Sequence, residues 1–142
     1  GRYRAYRTSL DALSLYDHLI RTGAWWDVCD EIAHHLVGEV LVTHREQASP
    51  VMRTWSTDDN LWIRRCSILS QNTHKGSTDP GLLRDCILSS MDDPNFFACK
   101  AIGWALRNYA RIDPAWVTSF VEEFDDRLSG LSKREALRHV SG

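Results

Sequence analysis

The sequence predicts an all-α protein built from stacked helix pairs, and three observations carry that prediction. Apolar residues recur at i, i+3, i+4 and i+7 along most of the chain, the spacing of one face of an α-helix. No stretch alternates apolar and polar residues long enough to make a strand, and no Asn-Gly or Asp-Gly hairpin turn occurs. One aromatic-rich pattern also returns twice. Trp25-Trp26-Asp27-Val28-Cys29-Asp30 is echoed by Asn60-Leu61-Trp62-Ile63-Arg64-Arg65 and by Asn95-Phe96-Phe97-Ala98-Cys99-Lys100.

The elements follow in order. From near Ser9, Leu10, Leu13, Tyr16, Leu19 and Ile20 form a first helical stripe that Thr22-Gly23 ends. Cys29, Ile32, Ala33, Leu36, Val37, Val40 and Leu41 form a second, with Gly38 inside it. Pro50 suits the first turn of a short helix running to Trp55. Ser56-Thr57-Asp58-Asp59-Asn60 supplies caps for a helix through Leu61, Trp62, Arg65, Cys66 and Leu69, and residues 72–78 read as a loop. Asp79-Pro80, Asp93-Pro94 and Asp113-Pro114 each read as a helix start. A last helix fits Ser132 to Val140, with Ser132 and Glu135 in capping-box positions.

Aligning Trp26 with Trp62 and Phe97 gives offsets of 36 and 35 residues, the short end of paired-helix solenoids. The expected architecture is therefore a HEAT-like helical-repeat solenoid with a concave face, residues 1–142 forming a single domain. Stacks of this kind normally carry capping repeats, yet Arg2, Arg4 and Arg7 around Tyr3 and Tyr6 lead almost directly into a helix. The expectation is that N-terminal repeats of a longer protein are missing.

With 142 residues, 43% of them hydrophobic and 25% charged, the chain has an ordinary globular balance. Its apolar runs are too short for a membrane span and no signal peptide opens it, so a cytoplasmic location is expected. Cys29, Cys66, Cys86 and Cys99 lack a C-x-x-C pair and fall among apolar positions, as reduced packing residues do. A formal net charge of −2 argues against indiscriminate polyanion binding, although a local basic stripe acts within a Debye length of about 10 Å.

Residues four apart share a helix face, which puts Trp26 with Asp30 and places Lys100, Trp104 and Arg107 together. If these helices lie side by side, one carboxylate is flanked by indoles and backed by cations. The same residues also have plainer readings. Tryptophans at helical spacing pack cores, Asp27 and Asp30 suit a helix N-terminus, and Arg64, Arg65, Lys100 and Arg107 can form a solvated face. Trp62 reads as packing. Cys29, Asp30, His34 and His35 lack a matching second pair of ligands, so no metal is expected.

The collinear motifs resemble those of the AlkD-type DNA alkylation-repair glycosylases. The resemblance rests on Trp25-Trp26-Asp27-Val28-Cys29-Asp30, Asp59-Asn60-Leu61-Trp62-Ile63-Arg64-Arg65, Lys100-Ala101-Ile102-Gly103-Trp104-Ala105-Leu106-Arg107 and Leu131-Ser132-Lys133-Arg134-Glu135-Ala136, and it spans most of residues 20–140. It implies a cofactor-free monomer that excises N3- and N7-alkylated purines from duplex DNA. It further implies that Asp30 is the catalytic carboxylate, that Trp26 and Trp104 border the lesion nucleotide, and that Arg65 and Arg107 contact the DNA backbone. Lys100 is a further candidate on that surface. The segment Asn72-Thr73-His74-Lys75 is less basic than a DNA-facing loop of that family would imply.

A single carboxylate suits such chemistry. An alkylated purine is already cationic and leaves readily, so the demand falls on stabilising the oxocarbenium ion at the sugar. The competing expectation is a HEAT-like scaffold that binds nucleic acid or protein without turnover. The enzyme reading requires Asp30 to be within reach of solvent and on the same side of the stack as Arg107.

Overall fold

The computed structural model describes residues 2–23 and 26–140, and within these the side chains of residues 3, 4 and 26 are outside the description. Among the described residues every regular element is helical. Two short leading helices, α1 (Arg2–Arg7) and α2 (Ala12–Gly23), precede a continuous helical run made of α3 (Trp26–Glu31), a π-helical turn (Ile32–Val37) and α4 (Gly38–Thr43). His44, at φ −125° and ψ 53°, breaks that run and starts α5 (Arg45–Ser56). Then come α6 (Leu61–Leu69), a 3₁₀ turn (Lys75–Ser77), α7 (Pro80–Leu88), α8 (Phe96–Ala110), α9 (Pro114–Glu123) and α10 (Gly130–Leu137).

Capping side chains fix the starts of α6 to α10. Asn60 Oδ1 accepts from the amides of Trp62 and Ile63, and Asp79 Oδ1 from those of Gly81 and Leu82. Asp113 caps Trp116, so two of the three Asp-Pro starts stand where expected. The third is displaced. Asp93 accepts from the Asn95 amide and Asn95 in turn caps Phe97, which moves the start of α8 two residues beyond Pro94.

Three other local expectations are corrected. Pro50 lies inside α5 rather than in its first turn, because His44 lets the helix begin at Arg45. Proline at this exposed position removes the amide donor that would otherwise meet the Glu46 carbonyl one turn earlier. The last helix is capped by Ser129, not Ser132, and Ser132 instead donates to the Cys99 carbonyl of α8 at 2.7 Å. The π turn had no signature in the apolar periodicity. It sits beside Gly38, where a Cβ would stand 3.1 Å from the Ser70 carbonyl oxygen and 3.3 Å from that of Ala33.

The helices stack in chain order. The α3–π–α4 run packs on α6, α6 on α8, and α8 closely on α10; α5 and α7 pair beside them and α9 covers α8. Val37, Leu41, Met52, Ile63, Leu69, Leu82, Ile87, Ile102 and Leu106 fill the space between the layers and are fully buried. Each such side chain contributes about 1.5–3 kcal/mol of transfer free energy. All four cysteines are buried among them.

Polar links repeat with the stack. Asp30 pairs with Arg65, Lys100 with Glu135 and Asp92 with Arg127, every pair 35 residues apart. The first pair joins α3 to α6, the second α8 to α10, and the third the turns that follow α7 and α9.

Candidate nucleic-acid interface and carboxylate site

Positions 30, 65 and 100 are each the fifth residue of their helices, α3, α6 and α8, and position 135 is the sixth of α10. They read acid, base, base, acid. Two clusters grow from these positions.

The first is the Asp30–Arg65 pair. Arg65 Nε and Nη2 donate to the two Asp30 oxygens at 2.9 Å each, the parallel fork that matches a guanidinium to a carboxylate. Arg65 Nη1 donates to the Phe97 carbonyl at 2.5 Å, so all three guanidinium nitrogens are engaged, and its Cζ lies 5.8 Å from the Phe97 ring centre. Asp30 is 7% exposed and Arg65 4%. The expected contact of Arg65 with a DNA phosphate therefore meets a side chain already committed to Asp30. Asp30 itself is buried but not closed off. A carboxylate offers about four lone-pair directions and the fork takes two.

His34 follows Asp30 within the π turn and links it to α8. Its ring meets Trp104 edge to face, with centroids 4.9 Å apart and planes at 88°. The Asn72 amide nitrogen stands 3.2 Å from His34 Nε2 and donates to it, leaving the proton of the neutral ring on Nδ1. Burial pushes the His34 pKa below its ordinary value, with Asp30 opposing the shift. Trp104 is partly buried and packs on the core, as does Trp62, whose ring lies 5.1 Å from the tilted ring of Phe97. Trp26 belongs to α3, but its side chain is outside the described residues.

Glu135 organises the second cluster. Lys100 Nζ donates to Glu135 Oε1 and Arg107 Nη1 to Oε2, both at 3.0 Å, while Arg138 approaches to 4.0 Å. Lys100 foremost, then Arg107 and Arg138, hold the Glu135 carboxyl below the usual range against the opposing effect of burial. Three cations around one carboxylate leave the cluster net positive. Lys100 retains 41% of its side-chain exposure, Arg107 23% and Glu135 14%.

The structure thus joins Asp30 to Arg65, reaches Trp104 through His34, and brings Lys100 and Arg107 together at Glu135. Among the described residues no ion pair connects the two clusters, which share helix α8. His34, Asn72 and Glu135 were not singled out for the site by sequence reasoning. Glu135 had a visible signal in its 35-residue distance from Lys100, masked by the capping-box pattern around it. Cys29, Asp30, His34 and His35 do not gather as a metal cluster, and none occurs among the described residues. A groove of about 570 Å³ opens beyond Asn72, lined by Lys75, Asn108, Tyr109 and Arg111 over Leu83, Ala105 and Ile112.

The chain matches the family described as DNA alkylation repair enzyme over residues 2–140. Its fold is similar to a solved structure described as a predicted DNA alkylation repair enzyme from Enterococcus faecalis, with a TM-score of 0.84 and 28% sequence identity. That alignment covers 93% of this chain and 61% of the other. No curated protein matches the chain significantly.

Proposed function

The chain belongs to the DNA alkylation repair enzyme family, and from that premise we propose that it hydrolyses the N-glycosidic bond of N3- and N7-alkylated purines in duplex DNA. The observation that carries this reading is the buried, doubly hydrogen-bonded Asp30, fixed in orientation by Arg65 and set one π turn before a histidine that contacts Trp104.

In the proposed reaction the C1′–N bond breaks and its electron pair neutralises the cationic purine. Positive charge then develops at C1′ and the ring oxygen. Asp30 faces that charge with a carboxylate already held in place, so little reorganisation is needed as the bond breaks. Water adds to C1′ and gives up a proton to solvent, completing hydrolysis without a cofactor. Trp104 offers an aromatic surface to a cationic base or sugar, a contact contributing roughly 0.5–2 kcal/mol, and Trp26 is proposed for the same role. Arg65 acts on Asp30 in this reading: it aligns the carboxylate through the two-point fork. Holding the duplex falls to Lys100 and Arg107, whose contacts with phosphates carry no sequence information.

The test is release of methylated purine from alkylated duplex DNA. Asp30→Asn keeps the shape of the side chain but removes the charge, and the expected loss is about a hundredfold in rate, from roughly 3 kcal/mol of transition-state stabilisation. Equal release by wild type and Asp30→Asn rules out Asp30 as the reacting carboxylate. One observation favours a scaffold that binds DNA without turnover: the low exposure of Asp30 and the engagement of both its oxygens fit a purely structural pair. DNA binding by wild type with no base release supports that alternative.

A further inference from the structure

The two ion-pair clusters differ in completeness. Arg65 meets Asp30 through a two-point fork and spends its third nitrogen on a backbone carbonyl. Arg107 touches Glu135 through Nη1 alone, and its Nε is buried with no acceptor among the described residues. A buried guanidinium N–H without a partner costs on the order of 1–3 kcal/mol, more for a charged group, so Arg107 lies short of its preferred hydrogen bonding. Lys100 uses one of its three donors on Glu135 and stays exposed.

Glu135 owes its position to Gly103. A Cβ on Gly103 would stand 2.7 Å from Glu135 Cβ and 3.3 Å from Ser132 Cα, so only glycine lets α10 settle this closely against α8. The carboxylate then sits between Lys100 and Arg107, one helical turn to either side of Gly103. Two oxygens between an ammonium and a guanidinium reproduce what a phosphodiester offers.

We propose that Glu135 is an internal stand-in for a DNA phosphate, filling the seat that Lys100 and Arg107 form and leaving it when the duplex docks. This rests on the reading above that these two cations face DNA. On docking, the phosphate oxygens accept from Lys100 Nζ and Arg107 Nη1 in place of Glu135, and the Glu135 carboxylate turns to solvent or to Arg138. The exchange sets a threshold. Only a polyanion that satisfies Arg107 better than Glu135 does, and brings further contacts with it, displaces the carboxylate.

The experiment measures duplex DNA affinity by fluorescence anisotropy across a salt series for wild type, Glu135→Gln, Glu135→Ala and the Lys100→Ala/Arg107→Ala double variant, with thermal melts of each. Glu135→Gln is expected to bind several-fold to tenfold more tightly at low salt, with a salt slope steeper by about one phosphate equivalent, roughly 0.9 in log–log units. Unchanged or weaker binding by folded Glu135→Gln and Glu135→Ala overturns the proposal, since a carboxylate that merely braces α10 or pre-orients the cations gives that result. If neither variant folds, carboxyl NMR of wild-type Glu135 decides. Its pKa rises when undamaged duplex is added if the carboxylate is displaced, and a pKa that stays low overturns the proposal. Loss of binding in the double variant without a gain in the Glu135 variants defeats this inference alone, whereas unchanged binding in the double variant defeats the DNA-docking reading beneath it.

Discussion

At the scale of single residues, Asp30 and Arg65 are best understood as one unit. Their burial makes each dependent on the other, because a lone charge left at a nearly water-free position is far more costly than the pair. Arg65→Met is therefore expected to destabilise the fold by about 3 kcal/mol in urea denaturation. Adding Asp30→Asn to Arg65→Met is expected to recover a large part of that loss, since no charge then remains to be desolvated. If the double variant is as unstable as the sum of the two single ones, the residues do not act as a pair. Both positions were visible in the sequence, and so was their 35-residue separation. Their bonding to each other was not, because helical periodicity says which face a residue takes but not which partner across the stack claims its hydrogen bonds.

At the scale of elements, the sequence shows most where local chemistry decides the outcome. Asn60, Asp79 and Asp113 cap the helices they were expected to cap, since each needs only its own side chain and the amides just after it. Asn60→Ala should cost about 1 kcal/mol by the same logic. Expectations failed where tertiary contacts decide. Ser132 gave up its capping role to bond α8, and Glu135 went to two cations of another repeat. Gly38 is a second case. Alanine is the better helix former by about 1 kcal/mol, yet here its methyl would press on the carbonyls of Ser70 and Ala33. Gly38→Ala is expected to destabilise by about 1–3 kcal/mol, measured as a lowered urea midpoint at unchanged m-value. A gain in stability would mean that the neighbouring helix yields to the methyl easily.

At the scale of the whole molecule, two histidines couple the stack to pH. His74 Nε2–H donates to the Gly38 carbonyl and its Nδ1 accepts from Arg45, while Arg45 also binds Gln71 and the Ser77 carbonyl. The loop before α7 is thus fastened to the break between α4 and α5. Burial lowers the pKa of His74 and of His34 from the ordinary 6.5. Below that pH the unfolded chain takes up protons that the folded chain refuses, so their contribution is full above about pH 6.5 and falls as the pH drops toward the folded values. The decline is at most about 1.4 kcal/mol per pH unit for each histidine. Glu135 and Asp58, held low by their cationic partners, extend the loss at more acid pH, beginning below their ordinary values of 4.5 and 3.8. Melting temperature followed from pH 7.5 downward should fall in two stages, and His74→Gln should flatten the first. A melting temperature constant between pH 7 and 5 would contradict this account.

The wide turn between Ile32 and Val37 interrupts the helical run between α3 and α4. Such a turn spreads one extra residue over a wider winding, so trimming one residue from it lets the backbone relax into regular α-winding with the flanking helices close to their present orientation. Asp30 would then keep its reach to Arg65, while His34, which lies inside the turn, would shift away from Asn72 and Trp104. A shortened chain of this kind is expected to retain the carboxylate fork and lose the histidine bridge to α8, which makes the turn the element that places His34.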